Sequence, residues 1–274
     1  MKYSRSLSLV PYFLFLIVVL SSCSGNRATI DNSLGQYFDN NHVDGCFSML
    51  NNRNGEITVY NLALDTTRTL PASTFKIVNS LIGLETGKIL DEKMVIKWDG
   101  IKRPVEEWNK DMDMQEAFKV SCVPYYQEVA RRIGRDTMQL WLDSLHYGNM
   151  NIGKRIDSFW LNNDLKISPD EQLGLMSKLY FDQLPFQKRT QEIVREVMVQ
   201  ENNTLYKLSY KTGWGYDENN NAIGWVVGWV EENMHPYFFV TLVKSTNKNI
   251  DMPTVRMNIT KGILRQLGLF QGKM

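Results

Sequence analysis

The chain of 274 residues is poor in the residue types that build metal sites and disulfide frameworks, with three cysteines and three histidines. The histidines are scattered, and no group of Cys and His has the spacing of metal ligands, so we expect no metal cofactor. An excess of one charge is also lacking, because 31 Lys and Arg residues accompany 30 Asp and Glu residues. The sequence therefore gives no reason to expect a nucleic-acid partner. With 43% hydrophobic and 22% charged residues, it predicts an ordinary globular protein.

The apolar run over residues 7–20, interrupted by one serine and one proline, is too short to span a bilayer. It follows Lys2 and Arg5, a basic start that is typical of a secretory signal peptide. The run ends in Leu20-Ser21-Ser22-Cys23, which resembles the lipobox of bacterial lipoproteins. In those proteins the cysteine thiol takes a diacylglycerol before the peptide is cleaved in front of it. A signal peptide that merely contains a cysteine is the alternative.

The lipobox resemblance divides the chain into three parts. We expect a signal peptide over residues 1–22, a lipidated Cys23 with a polar tether over residues 23–32, and one folded domain over residues 33–274. The protein is then exported and anchored by lipid, in the outer membrane facing the periplasm, since Ser24 after the lipidated cysteine is compatible with that membrane. We expect a monomer or a weak dimer.

The two remaining cysteines, Cys46 and Cys122, each lie in an apolar stretch. An oxidising compartment would allow a disulfide between them if their Cα atoms lay within about 7 Å. Small buried thiols are common in protein cores, so we expect two free cysteines.

Periodicity predicts strands at both ends of the chain and helices between them. Alternating residues over 45–64 indicate a β-hairpin, and further strand patterns cover 205–210, 222–231 and 237–244. Helical patterns cover 75–84, 114–133, 137–145, 169–180 and 188–199, with a last helix that runs from Pro253 to residue 267. These elements predict an α+β fold: an antiparallel β-sheet flanked by N- and C-terminal helices, with an inserted all-helical lobe. The sheet lobe covers about 33–70 and 201–274, the helical lobe about 71–200, and a ligand cleft is expected between them.

Ser73-Thr74-Phe75-Lys76 is the tetrapeptide with the clearest chemical content. On a helix, Ser73 and Lys76 lie on one face, where their side chains can touch. Apolar neighbours surround the lysine, and burial of an ammonium there favours the neutral amine. A neutral amine beside a hydroxyl is a base beside a nucleophile. The alternative is that Ser73 caps a helix while the Lys76 amine reaches solvent.

A second motif, Lys211-Thr212-Gly213, lies on the predicted strand that begins near Leu205. A lysine and a hydroxyl at a strand edge can bind a substrate carboxylate, and Gly213 allows the backbone to approach a ligand closely. Together with Ser73 and Lys76, the motif indicates a serine acyl-transferase.

These motifs resemble those of the penicillin-interacting serine enzymes, whose class A members carry Ser-x-x-Lys, Ser-Asp-Asn and Lys-Thr-Gly. The second motif here is Ser121-Cys122-Val123, and Tyr147-Gly148-Asn149 follows it. This combination resembles the class D (oxacillinase) β-lactamases, and similar stretches extend over nearly the whole mature chain. The resemblance implies the β-lactamase/D,D-peptidase type of fold and hydrolysis of β-lactams through an acyl-enzyme on Ser73.

The resemblance also implies that Lys76 reacts with CO2 to give an N-carboxylated lysine, the general base for acylation and deacylation. No other cofactor is implied. Trp160 would hold the carboxyl group through its indole N–H, with ordinary core packing as the alternative, and Val123 would form an apolar wall beside it. Ser121 would relay a proton toward the leaving nitrogen.

Four further residues are assigned by the same resemblance. Lys211 supplies a cation near Ser121, and Thr212 donates to the substrate carboxylate. The backbone N–H groups of Ser73 and Trp214 would form the oxyanion hole. Arg256 would pair with the substrate carboxylate, although a solvated surface arginine is the alternative. Tyr147-Gly148-Asn149 is predicted to be a turn with structural hydrogen bonds.

Three other functions compete with this interpretation. A D,D-peptidase uses the same Ser and Lys but is trapped by penicillins, and a β-lactam sensor domain acylates once and signals. Such receptors ordinarily carry several membrane spans, which this sequence lacks. A purely structural lipoprotein would leave four motifs in catalytic order without a role.

Overall fold

The structure is a computed structural model that describes residues 27–272. The predicted signal peptide and Cys23 lie outside the described residues. Within the part of the chain that is described, no helix combines the length and the apolar character that crossing a membrane requires.

Seven strands and nine α-helices make up the described part of the chain. The strands are β1 (Arg27–Ile30), β2 (Asp44–Asn51), β3 (Glu56–Tyr60), β4 (Val199–Asn202), β5 (Lys207–Tyr216), β6 (Ala222–Glu232) and β7 (His235–Ser245). The helices are α1 (Gly35–Asp39), α2 (Leu62–Asp65), α3 (Lys76–Glu85), α4 (Met114–Lys119), α5 (Val123–Ile133), α6 (Arg135–Leu145), α7 (Pro169–Tyr180), α8 (Lys188–Val197) and α9 (Met252–Gln266).

All seven strands form one sheet in the order β1-β3-β2-β7-β6-β5-β4. Every pair of neighbours is antiparallel except β1 and β3, which are parallel. The α+β fold is therefore as the sequence predicts, with one parallel pair added at the edge. The added strand, β1, lies within the predicted tether. The backbone of residues 27–30 pairs with β3, so this part of the tether belongs to the sheet.

Helices cover both faces of the sheet, and β6 shows how the sequence fits this arrangement. Trp225 and Val227 belong to the core that the sheet shares with α3, α5 and α7. Val226 and Val230, on the opposite face, belong to the core beneath α9. Successive side chains of a strand point to opposite faces, so a strand with two covered faces is apolar throughout.

One predicted helix is divided in the structure, and the division has a local cause. The pattern over 114–133 becomes α4 and α5, and Ser121 lies between them with a φ of 56°. Pro124 occupies the first turn of α5, where its missing N–H leaves no helical hydrogen bond unmade. Inside a continuous helix, Pro124 could not donate the backbone hydrogen bond to the carbonyl four residues before it. The chain therefore begins a new helix there.

Cys46, on β2, and Cys122, just before α5, are both buried and free. The prediction of two free thiols is confirmed.

Candidate active site

Ser73 lies in a short 3-10 helix, Ala72–Phe75, that leads directly into α3. The residue before it, Ala72, has a φ of 49°, which is left-handed and strained for an alanine. The Lys76 amine donates a hydrogen bond of 2.7 Å to the Ser73 hydroxyl. The two residues that the sequence placed on one helix face therefore touch.

Lys76 is buried, with 1% of its surface exposed. Burial lowers the pKa of the Lys76 amine to about 7, because the protein interior solvates an ammonium ion poorly. Its Nζ lies 5.5 Å from the centre of the Tyr126 ring. At neutral pH the lysine therefore has a large neutral fraction and can act as a base or react with an electrophile.

Trp160 is fully buried, and its indole stacks on Phe75 with ring centroids 5.4 Å apart. Its Nε1 has no hydrogen-bond partner among the described residues. A buried N–H without an acceptor is unusual in a folded protein. Trp160 therefore has an unused donor, and its ring stacks on the residue that precedes Lys76.

A second serine and lysine pair, Ser121 and Lys211, lies near the first. The Lys211 amine, on β5, donates to the Ser121 hydroxyl at 3.1 Å and to the Thr212 carbonyl at 3.1 Å. Burial, together with the charges of Lys76 and Arg256, holds the pKa of Lys211 well below its usual range. A lysine of this kind gives up a proton readily.

Arg256 lies in the first half of α9 and reaches across to β5. It is buried and donates from Nη1 to the Gly213 carbonyl at 2.5 Å. Its Nε has no partner among the described residues, and burial lowers its pKa to about 10. The guanidinium therefore retains donor capacity for an anion, and the alternative of a solvated surface arginine does not fit its burial.

Gly213 allows β5 to approach the segment before Ser73. A Cβ atom on Gly213 would lie 2.9 Å from the Pro71 carbonyl oxygen and 3.2 Å from the Thr74 methyl carbon. Any side chain there would push the two backbones apart. Trp214, the next residue, is 45% exposed. Thr212 on β5 and Val123 at the start of α5 are half-buried.

The Tyr147-Gly148-Asn149 turn is held by hydrogen bonds. The Asn149 amide donates to the Asp164 carbonyl at 2.8 Å, and its side-chain oxygen accepts from the Lys166 N–H at 2.9 Å. These bonds close the loop that carries Trp160. Tyr147 itself is buried, and its ring contacts Phe75 edge-on, with centroids 5.6 Å apart.

Sequence reasoning missed Gln172, which lies on α7 behind the nucleophile. It is fully buried, and its Nε2 donates to the Thr74 hydroxyl at 2.8 Å. One signal could have revealed it, because helical spacing places Gln172 on the same face as the buried Met176 and Leu179.

Among residues 27–272, no group of three or more His, Cys, Asp or Glu side chains is placed to hold a metal ion.

Comparisons with known proteins agree with one another. Residues 36–265 match the family model of the penicillin binding protein transpeptidase domain. The chain is 37% identical over 262 residues to β-lactamase OXA-5 of Pseudomonas aeruginosa, covering 94% of this chain and 97% of that protein.

Two solved structures are also similar. The class D β-lactamase YbXI from Nostoc has a TM-score of 0.83 and 37% identity, covering 87% of this chain and 100% of that one. The C-terminal domain of the BlaR penicillin receptor from Bacillus licheniformis has a TM-score of 0.84 and 30% identity, covering 90% of this chain and 98% of that one.

Proposed function

The chain belongs to the class D β-lactamases and is a β-lactam hydrolase, and we propose that it acts through an acyl-enzyme on Ser73. The observation that carries this proposal is the 2.7 Å hydrogen bond between the Ser73 hydroxyl and a buried lysine amine whose pKa is lowered to about 7. A nucleophile beside a neutral base is the requirement for acyl transfer at neutral pH.

In the acylation step, Ser73 Oγ attacks the carbonyl carbon of the β-lactam. A C–O bond forms, the ring C–N bond breaks, and the hydroxyl proton passes to the basic group on the Lys76 side chain. The base then gives this proton up to the ring nitrogen through Ser121, which is hydrogen bonded to Lys211, and is ready to accept a proton again. In the second step water attacks the ester carbon while the same base takes one of its protons. The bond between that carbon and Ser73 Oγ then breaks, and the base returns the proton to Ser73 Oγ.

We propose that the base on Lys76 is its N-carboxylated form. The neutral amine adds CO2 and releases one proton, and the resulting carbamate supplies a general base. Two observations support the fit: burial lowers the pKa of the amine to about 7, and the buried Trp160 Nε1 lacks an acceptor. Trp160 would donate to the added group, and Val123 would shield it from water.

Substrate binding is proposed for the β5 side of the cleft. Arg256 and Thr212 would bind the substrate carboxylate, since the buried guanidinium has a free Nε. The backbone N–H groups of Ser73 and Trp214 would stabilise the oxyanion, and Gly213 allows those two backbone segments to lie close together.

The test is hydrolysis of a chromogenic β-lactam by the soluble chain from Ser24 onward, with and without bicarbonate, followed by intact-mass analysis. Fast turnover that increases with bicarbonate supports the proposal. Negligible turnover with a long-lived adduct on Ser73 would instead indicate a receptor domain, which the similarity to the BlaR domain makes the second candidate, or a D,D-peptidase. Absence of both turnover and adduct would contradict all of these functions.

Export, lipid anchoring at Cys23 in the outer membrane, and a monomeric state are also proposed. The support for the anchor is the Leu20-Ser21-Ser22-Cys23 sequence after an apolar run. Labelled fatty acid should be incorporated into the full-length chain and not into the Cys23→Ala variant; equal labelling of both would contradict the anchor. Sedimentation of the soluble chain tests the monomer.

A further inference from the structure

We propose that Gln172 is a positioning residue for the nucleophile, acting on the Ser73 backbone through Thr74 and the Pro71 carbonyl. The inference rests on the proposed acyl-enzyme chemistry at Ser73. Gln172 contributes no group to the reaction and belongs to none of the four motifs.

The contacts form a directed chain. The Gln172 amide donates from Nε2 to the Thr74 hydroxyl at 2.8 Å, and that hydroxyl donates to the Pro71 carbonyl at 2.8 Å. A hydroxyl has one proton, and because the Gln172 amide donates to the Thr74 oxygen rather than accepting from it, that proton is left for the Pro71 carbonyl. Gln172, 0% exposed, supplies that donor in a region closed to water.

The backbone that this chain holds is strained. Ala72, between Pro71 and Ser73, has a φ of 49°, a conformation that L-residues with a side chain rarely adopt. Such strain persists only where surrounding contacts fix it. Two side chains fix the carbonyls before Ala72: Trp225 donates from Nε1 to the Leu70 carbonyl at 2.9 Å, and Thr74 donates to the Pro71 carbonyl.

The Pro71 carbonyl is also the point where β5 meets the nucleophile segment. A Cβ on Gly213 would lie only 2.9 Å from its oxygen. Rotation of the peptide between Pro71 and Ala72 would therefore move the Ser73 N–H relative to β5. Stabilisation of an oxyanion depends on donors fixed at the right separation. A small rotation of this peptide therefore lowers the acylation rate more than it lowers the free energy of unfolding.

The amide of Gln172 is poorly explained by packing alone. Its Oε1 is buried without a partner among the described residues, which is unfavourable. Met, of similar length, would fill the space without a stranded carbonyl oxygen. Replacement by Met therefore removes the donor while costing the fold little, and the Gln172→Met variant isolates the hydrogen bond.

The chain offers a matched control in Gln191 on α8. It is 1% exposed, and its Nε2 donates to the Leu184 and Phe186 carbonyls at 3.2 and 2.9 Å. Gln191→Met thus breaks buried glutamine hydrogen bonds that have no connection to Ser73.

The experiment compares both variants with the unmodified protein in acylation rate, KM, melting temperature and affinity for a boronic acid, whose adduct with Ser73 Oγ is tetrahedral and anionic. We expect Gln172→Met to lower the acylation rate about 10- to 100-fold and to weaken boronic acid binding by a similar factor, with KM within about twofold. Gln191→Met should change only the melting temperature.

Thr74→Val should reproduce the loss of acylation rate and boronic acid affinity. Thr74→Ser, which keeps the hydroxyl, should restore most of both.

If Gln172→Met and Thr74→Val match Gln191→Met in acylation rate and boronic acid affinity, the positioning role is wrong while the chemistry at Ser73 stands. If the unmodified protein neither hydrolyses a β-lactam nor forms an adduct on Ser73 with a β-lactam or the boronic acid, both proposals are wrong.

Discussion

The Ser73 hydroxyl accepts a 2.7 Å hydrogen bond from the Lys76 amine, and the lysine is held in surroundings that favour its neutral form. The pair therefore combines a nucleophile with a base that burial has tuned to neutral pH. Their separate roles lead to separate losses on substitution.

Ser73→Ala should abolish both turnover and covalent labelling by a β-lactam, because the attacking oxygen is gone. Lys76→Ala should reduce turnover about 100- to 10,000-fold, the usual contribution of a general base. Steady-state hydrolysis and intact mass measure both effects. Lys178→Ala on α7 is the control for loss of a lysine. Hydrolysis by Ser73→Ala, or a rate for Lys76→Ala within about tenfold of the unmodified protein, would contradict the mechanism.

The pH dependence of kcat/KM follows from the lowered pKa of Lys76. Above its pKa of about 7 the amine is neutral and can add CO2 or accept a proton; below it the amine is protonated and does neither. We expect kcat/KM to rise as pH increases from 6 to 8. Initial rates at subsaturating substrate and constant dissolved CO2 measure this, and a flat profile over that range would argue against Lys76 as the titrating group.

Trp160→Phe removes an N–H donor while keeping an aromatic ring to stack on Phe75. If Lys76 is carboxylated as proposed, we expect lower occupancy of the carbamate and a larger loss in the deacylation rate than in the acylation rate. The reason is that the indole N–H has no acceptor among the described residues and would donate to the carbamate. Carbon-13 NMR with labelled bicarbonate measures the occupancy directly. Trp141→Phe, in a stack with Phe186, is the matched control, and equal carbamate signals in the two variants would remove Trp160 from the site.

Arg256→Ala should raise KM for an anionic β-lactam more than it lowers kcat. A charge-assisted hydrogen bond contributes about 1.5–3 kcal/mol, which corresponds to roughly a 10- to 150-fold effect. Steady-state kinetics resolve the two constants. Arg265→Ala, in the last turn of the same helix, is the control. An unchanged KM would mean that the carboxylate is bound elsewhere.

Asp65 gives a prediction for stability rather than catalysis. It is 3% exposed, its Oδ1 lacks a partner among the described residues, and burial raises its pKa to about 6. A carboxyl with a raised folded-state pKa contributes stability below its unfolded value of about 4, and this contribution is lost as pH rises through about 6.

The variant Asp65→Asn cannot ionise, so its stability relative to the unmodified protein should increase by about 2–3 kcal/mol between pH 4 and pH 8. Urea unfolding at the two pH values gives this difference. Asp39→Asn, at an exposed position, controls for the loss of a carboxylate. A difference that does not change with pH would mean that Asp65 is already ionised at pH 4.

The sequence predicted the elements that carry their own start and stop signals. Helix α7 begins with Pro169, and Ser168 and Glu171 form a capping box at this end. Its predicted bounds match those in the structure. Strands β1 and β4 were missed because each has four residues at a sheet edge, too few for alternation to show. Their formation depends on a neighbouring strand rather than on local preference.

The residues of the site were also predicted in part. Ser73 and Lys76 are three residues apart, so a helix alone brings them together, and the motif resemblance identified Ser121 and Lys211. Helical spacing places Gln172 on the buried face of α7, but it does not predict the contact with Thr74, which joins residues that are 98 positions apart. Contacts of that kind become visible only when the chain is folded.

The two free thiols lie in different parts of the molecule: Cys46 is in the sheet, and Cys122 is within the Ser121-Cys122-Val123 motif. Buried as they are, neither can meet an alkylating reagent until its surroundings open. Their separate labelling rates would measure how often each region opens by local unfolding. If a bound ligand slows labelling of Cys122 but not of Cys46, binding reduces local opening around the Ser121 motif and leaves local opening of the sheet unchanged. This measurement needs no spectroscopic probe on the protein.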